Sequence, residues 1–240
     1  MRQAMILSSM LLLGACNHSD AKQAEASGPK ISRDFAVAAF DRIAAAGPHH
    51  VIVHVGGAPS LRAEGNSKQI ERLEIKVEDG ELRIGLRDKK GFSWSSNRQA
   101  LTIHVTAPAL RGAAVAGSGD IKVDKVETKS FAASIGGSGN IDLPAMKVEE
   151  AAFAIGGSGN IRAAGTAGSS TASIGGSGNL DLRALEARRT NVSIAGSGNV
   201  SARATEAAEI SIVGSGDATV AGGAKCTINK MGPGSARCTG

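Results

Sequence analysis

Residues 151–163 read AAFAIGGSGNIRA, and this stretch decides the fold. Its turn, Gly-Ser-Gly followed by Asn, recurs to the end of the sequence, with Asp in place of Asn in two copies and a degenerate last copy. The serines of these copies are Ser118, Ser138, Ser158, Ser177, Ser197, Ser215 and Ser235. Successive serines are separated by 18 to 20 residues, so one unit is about twenty residues long.

Apolar residues occupy alternate positions on both sides of each turn. Those three positions before the serine are Val115, Ile135, Ile155, Ile174, Ile194 and Ile212, and those three positions after it are Ile121, Ile141, Ile161, Leu180, Val200 and Ala218. This alternation predicts short strands with one buried face, bent at a glycine corner. One unit cannot bury its apolar face alone, but stacked copies bury a continuous column. The repeat therefore predicts an all-β parallel β-helix, a solenoid with ~20-residue rungs, over residues 111–240.

The position after each turn carries Asn in the middle of the series and Asp at its ends. These residues are Asp120, Asn140, Asn160, Asn179, Asn199 and Asp217. Stacked amides can donate and accept hydrogen bonds along a column, whereas adjacent buried carboxylates would repel each other. We therefore expect an internal asparagine ladder with a structural role.

Residues 33–110 alternate in the same way without the repeat. The alternating runs are Val51 to Val55, Leu73 to Val77, Leu82 to Leu86 and Leu101 to Val105. Asp79-Gly80 lies between two of them and predicts a tight hairpin. This half is expected to be a β-rich start of the same solenoid or a small sheet that caps its open end, continuous with the repeats.

The beginning of the chain has the pattern of an export signal. An apolar run from Ala4 to Leu13 follows a single charge, Arg2, and is too short to cross a bilayer. It ends in Leu13-Gly14-Ala15-Cys16, which resembles the bacterial lipobox. We expect residues 1–15 to be a lipoprotein signal peptide and Cys16 to carry the lipid, including palmitate.

Residues 16–32 are polar and rich in Ala, Ser and Gly, which predicts a flexible tether between anchor and domain. Asn17, directly after the lipidated cysteine, favours the outer membrane over the inner one. Cys226 and Cys238 are the two cysteines that remain, and in an exported protein such a pair favours a disulfide.

Composition restricts the possible functions. The chain of 240 residues has 32 Gly, one Trp and no Tyr, so an aromatic-lined cleft is not expected. The formal net charge of +5 is mild and fits attraction to anionic envelope surfaces better than a nucleic-acid site.

Catalytic and metal-binding motifs do not fit the repeat. A serine nucleophile on a strand-to-helix elbow needs Gly-x-Ser-x-Gly, which this turn lacks. The position that would carry a calcium-binding aspartate holds apolar residues such as Ile141 and Ile161, and no Lys-Ser/Thr of a phosphate loop follows the glycines. His49, His50, His54 and His104 could supply a base or bind a metal, but His50 and His54 alternate with the valines, as solvent-facing strand residues would. We expect no catalytic residue, metal or cofactor.

A polysaccharide-processing β-helix enzyme, a lyase or hydrolase, is the alternative. It would need carboxylates clustered with basic residues on neighbouring rungs. The outward column holds Lys122, Asp142, Arg162 and Asp181, and this alternation of signs favours cross-rung pairing that stabilises the stack.

An ordered series of motifs resembles a known family. It consists of Phe40-Asp41-Arg42-Ile43, the strands described above, Pro108-Ala109-Leu110 and then the Gly-Ser-Gly-Asn/Asp rungs. Together they resemble the putative auto-transporter adhesin head domain family, also called the head GIN domain, over roughly residues 33–240. The resemblance implies a right-handed parallel β-helix (solenoid) preceded by a β-rich capping region, and an envelope location. It transfers no catalytic residue.

The expected function is therefore a non-catalytic cell-envelope lipoprotein with a β-solenoid scaffold. It would act as an adhesin-like module whose partner is an envelope protein or a glycan, with the lipid anchor in the membrane.

Overall fold

The computed structural model describes residues 28–87 and 100–240. The expected signal peptide, Cys16 and most of the expected tether lie outside these residues. The strands are β1 (Lys30–Phe35), β2 (Arg42–Ala46), β3 (His50–Val55), β4 (Ser60–Asn66), β5 (Leu73–Glu78), β6 (Glu81–Leu86), β7 (Thr102–Ala107), β8 (Gly112–Gly117), β9 (Asp120–Val123), β10 (Val126–Gly137), β11 (Asn140–Ile155), β12 (Asn160–Gly176), β13 (Asn179–Gly196), β14 (Asn199–Gly214), β15 (Asp217–Ala221), β16 (Lys225–Met231) and β17 (Ser235–Thr239). A short helix, α1 (Ser67–Ile70), follows β4.

The repeats form a parallel solenoid of about six turns with ~20-residue rungs, as the sequence predicts. Ile155 pairs with Ile135 of the preceding rung and with Ile174 of the following one. Both apolar columns are buried, and Ile155 is 2% exposed. β11 to β14 continue around the corners of the rung, with register shifts such as that between Leu143 and Met146.

The glycines of the turn are required by close stacking. Gly196 has φ 136°, and a Cβ there would lie 2.4 Å from the carbonyl oxygen of Gly176 in the preceding rung. A Cβ on Gly159, after the serine, would lie 2.2 Å from the carbonyl oxygen of Gly139. These distances are too short for any side chain, so the repeat keeps glycine on both sides of the serine.

The N-terminal half belongs to the same stack, but its levels are not stacked in sequence order. β2 pairs with β6 on one side and with β8 on the other, and β3 pairs likewise with β7 and β9, all in parallel. The first level along the chain therefore lies between the second and the third. Residues 108–111 cross this inserted level, where Leu110 is buried and Arg111 donates its backbone N–H to the carbonyl of Asp41.

Antiparallel strands close the N-terminal end of the stack. β4 pairs antiparallel with β7 and β1, and β5 pairs antiparallel with β6. The hairpin between β5 and β6 turns at Asp79 and Gly80, both with positive φ, as predicted. β1 begins at Lys30, inside the range 16–32 that was expected to be a tether.

The C-terminal end is closed differently. β16 stacks on β14 and β17 stacks on β15, both in parallel, and a disulfide joins Cys226 to Cys238 across this last level. The disulfide predicted from the sequence is confirmed. Within residues 28–87 and 100–240, no helix has the length and apolar character that crossing a bilayer would require.

Candidate functional site

The strands that follow the turns form one side of the rod, which we call the ladder face (residues 120–123, 140–143, 160–163, 179–182, 199–202 and 217–221). Inward residues such as Ile161 fill the core, and outward residues such as Asn160 are exposed. Asn140, Asn179 and Asn199 are exposed as well. The expectation of an internal ladder is therefore wrong, because alternation along a strand points these residues away from the core.

The asparagine amides on the ladder face are hydrogen-bonded in one direction. The Nδ2 of Asn160 donates to Oδ1 of Asn140 at 2.9 Å, and the Nδ2 of Asn140 donates to Oδ1 of Asp120 at 2.7 Å. Asn179 and Asn199 donate in the same direction, at 2.8 and 2.9 Å. Each interior amide thus keeps one N–H and one oxygen lone pair for a ligand.

The two aspartates at the ends of the series have different partners. Asp120 accepts the first amide and also contacts Nδ1 of His50 at 2.9 Å. Asp217 accepts the backbone N–H of Ser235 at 2.9 Å, and no hydrogen bond joins it to Asn199 in the described part of the chain. The amide ladder thus begins on a carboxylate and ends at Asn199.

A second outward column on the ladder face carries alternating charges. Lys122 Nζ lies 3.9 Å from Asp142, and Arg162 Nε lies 3.5 Å from Asp181. Arg183 adds two hydrogen bonds of 2.8 Å to the Asp181 carboxylate. The expected cross-rung pairing is present at both pairs. Arg183 was not singled out from the sequence, although its position two residues after Asp181 on one strand places both side chains on the same face.

The two columns line a groove of about 530 Å³. Its polar lining consists of Asn140, Asp142, Asn160, Arg162, Asn179, Asp181, Arg183, Asn199 and Ser201. A second depression, of about 680 Å³, shares Asp142, Arg162, Asp181 and Arg183 and continues around the corner past Pro144 and Ala164. We call the joined depressions the ladder groove. It is open, carries amide and charged side chains in its two columns, and extends along the rod.

Electrostatics within the groove do not favour Asp181 as an acid catalyst. The hydrogen bonds from Arg183, with added attraction from Arg162, hold the pKa of the Asp181 carboxyl below its usual range. Asp181 therefore stays ionised at neutral pH. A glycoside hydrolase needs a carboxylic acid whose pKa is raised, and Asp181 is shifted in the opposite direction.

The remaining candidates from the sequence lie elsewhere. Ser158 and its equivalents are exposed at the corner of the rung, apart from the half-buried Ser235 of the degenerate copy. His54 contacts Asp124 at 2.5 Å and His104 lies 3.9 Å from Glu64, both on the surface. His49 is buried, which lowers its pKa, and its Nδ1 accepts the backbone N–H of Leu101 at 3.4 Å.

Within the described ranges, no group of three or more His, Cys, Asp or Glu residues is arranged to hold a metal ion.

One fold can host unrelated functions, so the parallel β-solenoid and its groove do not by themselves assign an activity. The family comparison identifies the relatives of the chain. The model of the family described as "Putative auto-transporter adhesin, head GIN domain" matches residues 39–224. The chain belongs to this family, as the sequence motifs suggested. Among curated proteins, none matches the chain.

Solved structures share the fold at low sequence identity. A putative adhesin from Bacteroides fragilis is 23% identical, with a TM-score of 0.81 over 88% of this chain and 97% of its own. A protein from Parabacteroides distasonis described as a putative lipid binding protein is 24% identical, with a TM-score of 0.70 over 89% and 97%. A putative adhesin from Parabacteroides merdae is 15% identical, with a TM-score of 0.66 over 88% and 96%.

Proposed function

We propose that the protein is a non-catalytic adhesion module of the bacterial cell envelope that binds an envelope glycan in the ladder groove. The groove itself carries this proposal. Its amides recur once per rung, at about 4.8 Å along the rod, and each has an unused donor and acceptor. Sugar hydroxyls both donate and accept hydrogen bonds, so a polymer that presents them at regular intervals matches this array.

The charged column supports binding in the same groove. Arg162 is 72% exposed at its side chain although it lies 3.5 Å from Asp181, so it remains accessible to a ligand. Among the described residues, Asp142 forms a single ion pair, of 3.9 Å, with Lys122. Exposed pairs of this kind contribute little to stability. Their side chains can therefore exchange partners for a ligand at low cost.

Family membership supports a location at the cell envelope or surface. We further propose that residues 1–15 are removed and that Cys16 is lipidated, which would anchor the rod in the outer membrane through residues 16–27. Metabolic labelling with a palmitate analogue tests this anchor. Cys16→Ser should abolish labelling, and an unlabelled wild-type protein that remains soluble in the periplasm would exclude it.

A glycan array followed by titration calorimetry on the best ligand tests the groove. The double variant Asp142→Ala/Arg162→Ala should weaken binding by at least about tenfold, because two hydrogen-bonding charged groups leave the site. The control is Lys147→Ala, which removes an exposed charge outside the groove. If no glycan binds saturably and a single envelope protein co-purifies, the groove proposal fails and a protein scaffold takes its place.

The alternative, a polysaccharide lyase or hydrolase, is tested with the same ligand. Release of new chain ends by the wild type, abolished by Asp181→Asn, would show catalysis. The lowered pKa of Asp181 argues against this residue as the general acid of a hydrolase, because its carboxyl stays ionised at neutral pH.

A further inference from the structure

The C-terminal level of the rod is unusually apolar on its surface. Large hydrophobic side chains that are exposed in the described residues are Ile31, Ile52, Val213, Ile228 and Met231. Val213, Ile228 and Met231 lie on the last two levels, and Val213 and Met231 are the two most exposed, at 55% and 72%. Met231 pairs directly with Val213, so these two side chains are neighbours on one side of the rod.

All charged side chains of the same level are positive. Residues 218–240 contain Lys225, Lys230 and Arg237 and no Asp or Glu. All three cations are exposed, and none has a carboxylate within 4.0 Å in the described part of the molecule. Lys230 stands at the end of the isoleucine column, opposite Ile212, and donates to the carbonyl of Gly234 at 2.8 Å. We call the level formed by β16 and β17 the cationic tip.

The backbone of the tip is also available for binding. β16 pairs only with β14 and β17 only with β15 among the described strands, so the far edge of each presents unpaired N–H groups. Unpaired N–H groups at a sheet edge can donate to anions. A second copy of this chain is disfavoured there, because two tips facing each other would bring like charges together.

We propose that the cationic tip docks on a lipid surface that carries anionic phosphate headgroups. Lys225, Arg237 and the edge N–H groups would contact the phosphates, while Met231, Val213 and Ile228 enter the interfacial layer. A soluble acidic polymer would satisfy the cations but would leave these apolar side chains in water. The tip lies at the end of the stack remote from β1, so this contact is separate from an anchor that precedes β1 and from the ladder groove.

Vesicle flotation tests the proposal with the full chain carrying Cys16→Ser, so that acylation cannot contribute. The protein should float with vesicles of equimolar phosphatidylglycerol and phosphatidylcholine and stay in solution with phosphatidylcholine alone, and salt should weaken the binding. Lys225→Glu/Arg237→Glu should reduce partitioning by at least about tenfold. Met231→Ser should reduce it several-fold without abolishing the salt dependence.

The control variant Lys125→Glu/Lys129→Glu changes the net charge equally at two exposed lysines, far from the tip, that form no ion pair within the described residues. It should keep its binding, as should the groove variant Asp142→Ala/Arg162→Ala. Equal loss in the tip and control variants would overturn the proposal in favour of non-specific attraction. The proposal would also be overturned if the tip variant lost binding to an acidic polysaccharide while Met231→Ser had no effect on vesicle binding. Self-association abolished by the tip substitutions would assign the tip to a second copy and also overturn it.

Discussion

The two halves of the rod reach the same layered architecture by different routes. In the repeat half, each strand stacks on the one about twenty residues earlier, as Ile155 does on Ile135. In the N-terminal half, Val51 pairs with Ile103 and with Ile121, because β3 is inserted between β7 and β9. The difference shows that a repeated sequence is sufficient for a parallel stack but not necessary. Inward aliphatic residues at alternate positions are what both halves share.

The two ends of the rod are also closed in different ways. At the N-terminal end the chain reverses direction, so that antiparallel β4 and β5 cover the parallel levels and α1 follows β4. At the C-terminal end no strand reverses, and the last level relies on the disulfide and on Lys230 at the end of the core column. Inward-pointing charges and covered edges are both known means of preventing edge-to-edge aggregation. Because no reversing strand covers the last level among the described residues, we expect the repeat half to fray from its C-terminal end.

The largest expected effect is that of Ile155→Asp. A carboxylate at this 2% exposed position would be buried without a partner, at a cost of several kcal/mol out of the roughly 5–15 kcal/mol of a typical domain. Since neighbouring rungs share the column, the thermal unfolding transition should become less cooperative and its midpoint temperature should fall. Val53→Asp tests the N-terminal half in the same way, because Val53 is fully buried.

Ala154→Asp is the matched control, because its side chain is exposed on the outer surface of the same strand. It should melt close to the wild type. If Ile155→Asp also melts like the wild type, the alignment of the rungs is wrong.

The architecture of the repeat half can be predicted from the sequence almost completely, because it follows from local patterns. Alternation around each turn identifies inward residues such as Ile161, and the unit length of about twenty residues sets which rung each one joins. The same alternation required Asn160 to point outward, so the exposure of the ladder could have been read from the sequence. The direction of its hydrogen bonds could not, because an amide can donate either way along a column.

The insertion of β2 and β3 has no such signal. Their partners lie about 40 to 70 residues away, and no repeated motif relates them. β1, β4 and α1 were not predicted either, since their packing against the end of the stack depends on tertiary contacts. The ladder groove could not be predicted from the sequence either, because Asp142, Arg162 and Arg183 come together only when three rungs are stacked.

Removing the disulfide should have the next largest effect, and a local one. Cys226→Ser/Cys238→Ser opens a loop of about a dozen residues, for which the chain-entropy model gives about 3 kcal/mol. Hydrogen exchange should accelerate in β16 and β17 and leave β6 and β7 unchanged. Equal acceleration at both ends would contradict the view that only the C-terminal end depends on a covalent closure.

A smaller effect is expected for Asn160→Ala. This change removes the amide that donates to Asn140 and accepts from Asn179, and because the ladder is exposed, the loss should be about 1 kcal/mol. Asn191→Ala is the control, since Asn191 is an exposed asparagine with no side-chain hydrogen bond in the described structure. Chemical denaturation of both variants measures the difference, and equal stability would show that the ladder is not stabilising.

The smallest expected effect is that of Ser158→Ala, in the centre of the repeat. Ser158 is one of several equivalent corner residues, its side chain is exposed, and only its backbone N–H bonds to the preceding rung, at 2.9 Å to Gly137. Removing the hydroxyl should therefore change the free energy of unfolding by less than about 0.5 kcal/mol and leave any glycan binding intact. Gly159→Ala, one residue further on, should be severely destabilising, because its Cβ would overlap the carbonyl of Gly139. A catalytic serine would also give normal melting for Ser158→Ala, but activity on a glycan or ester substrate would be abolished. The pair of neighbouring substitutions thus separates a turn that holds rungs together through its backbone from one that acts through its side chain.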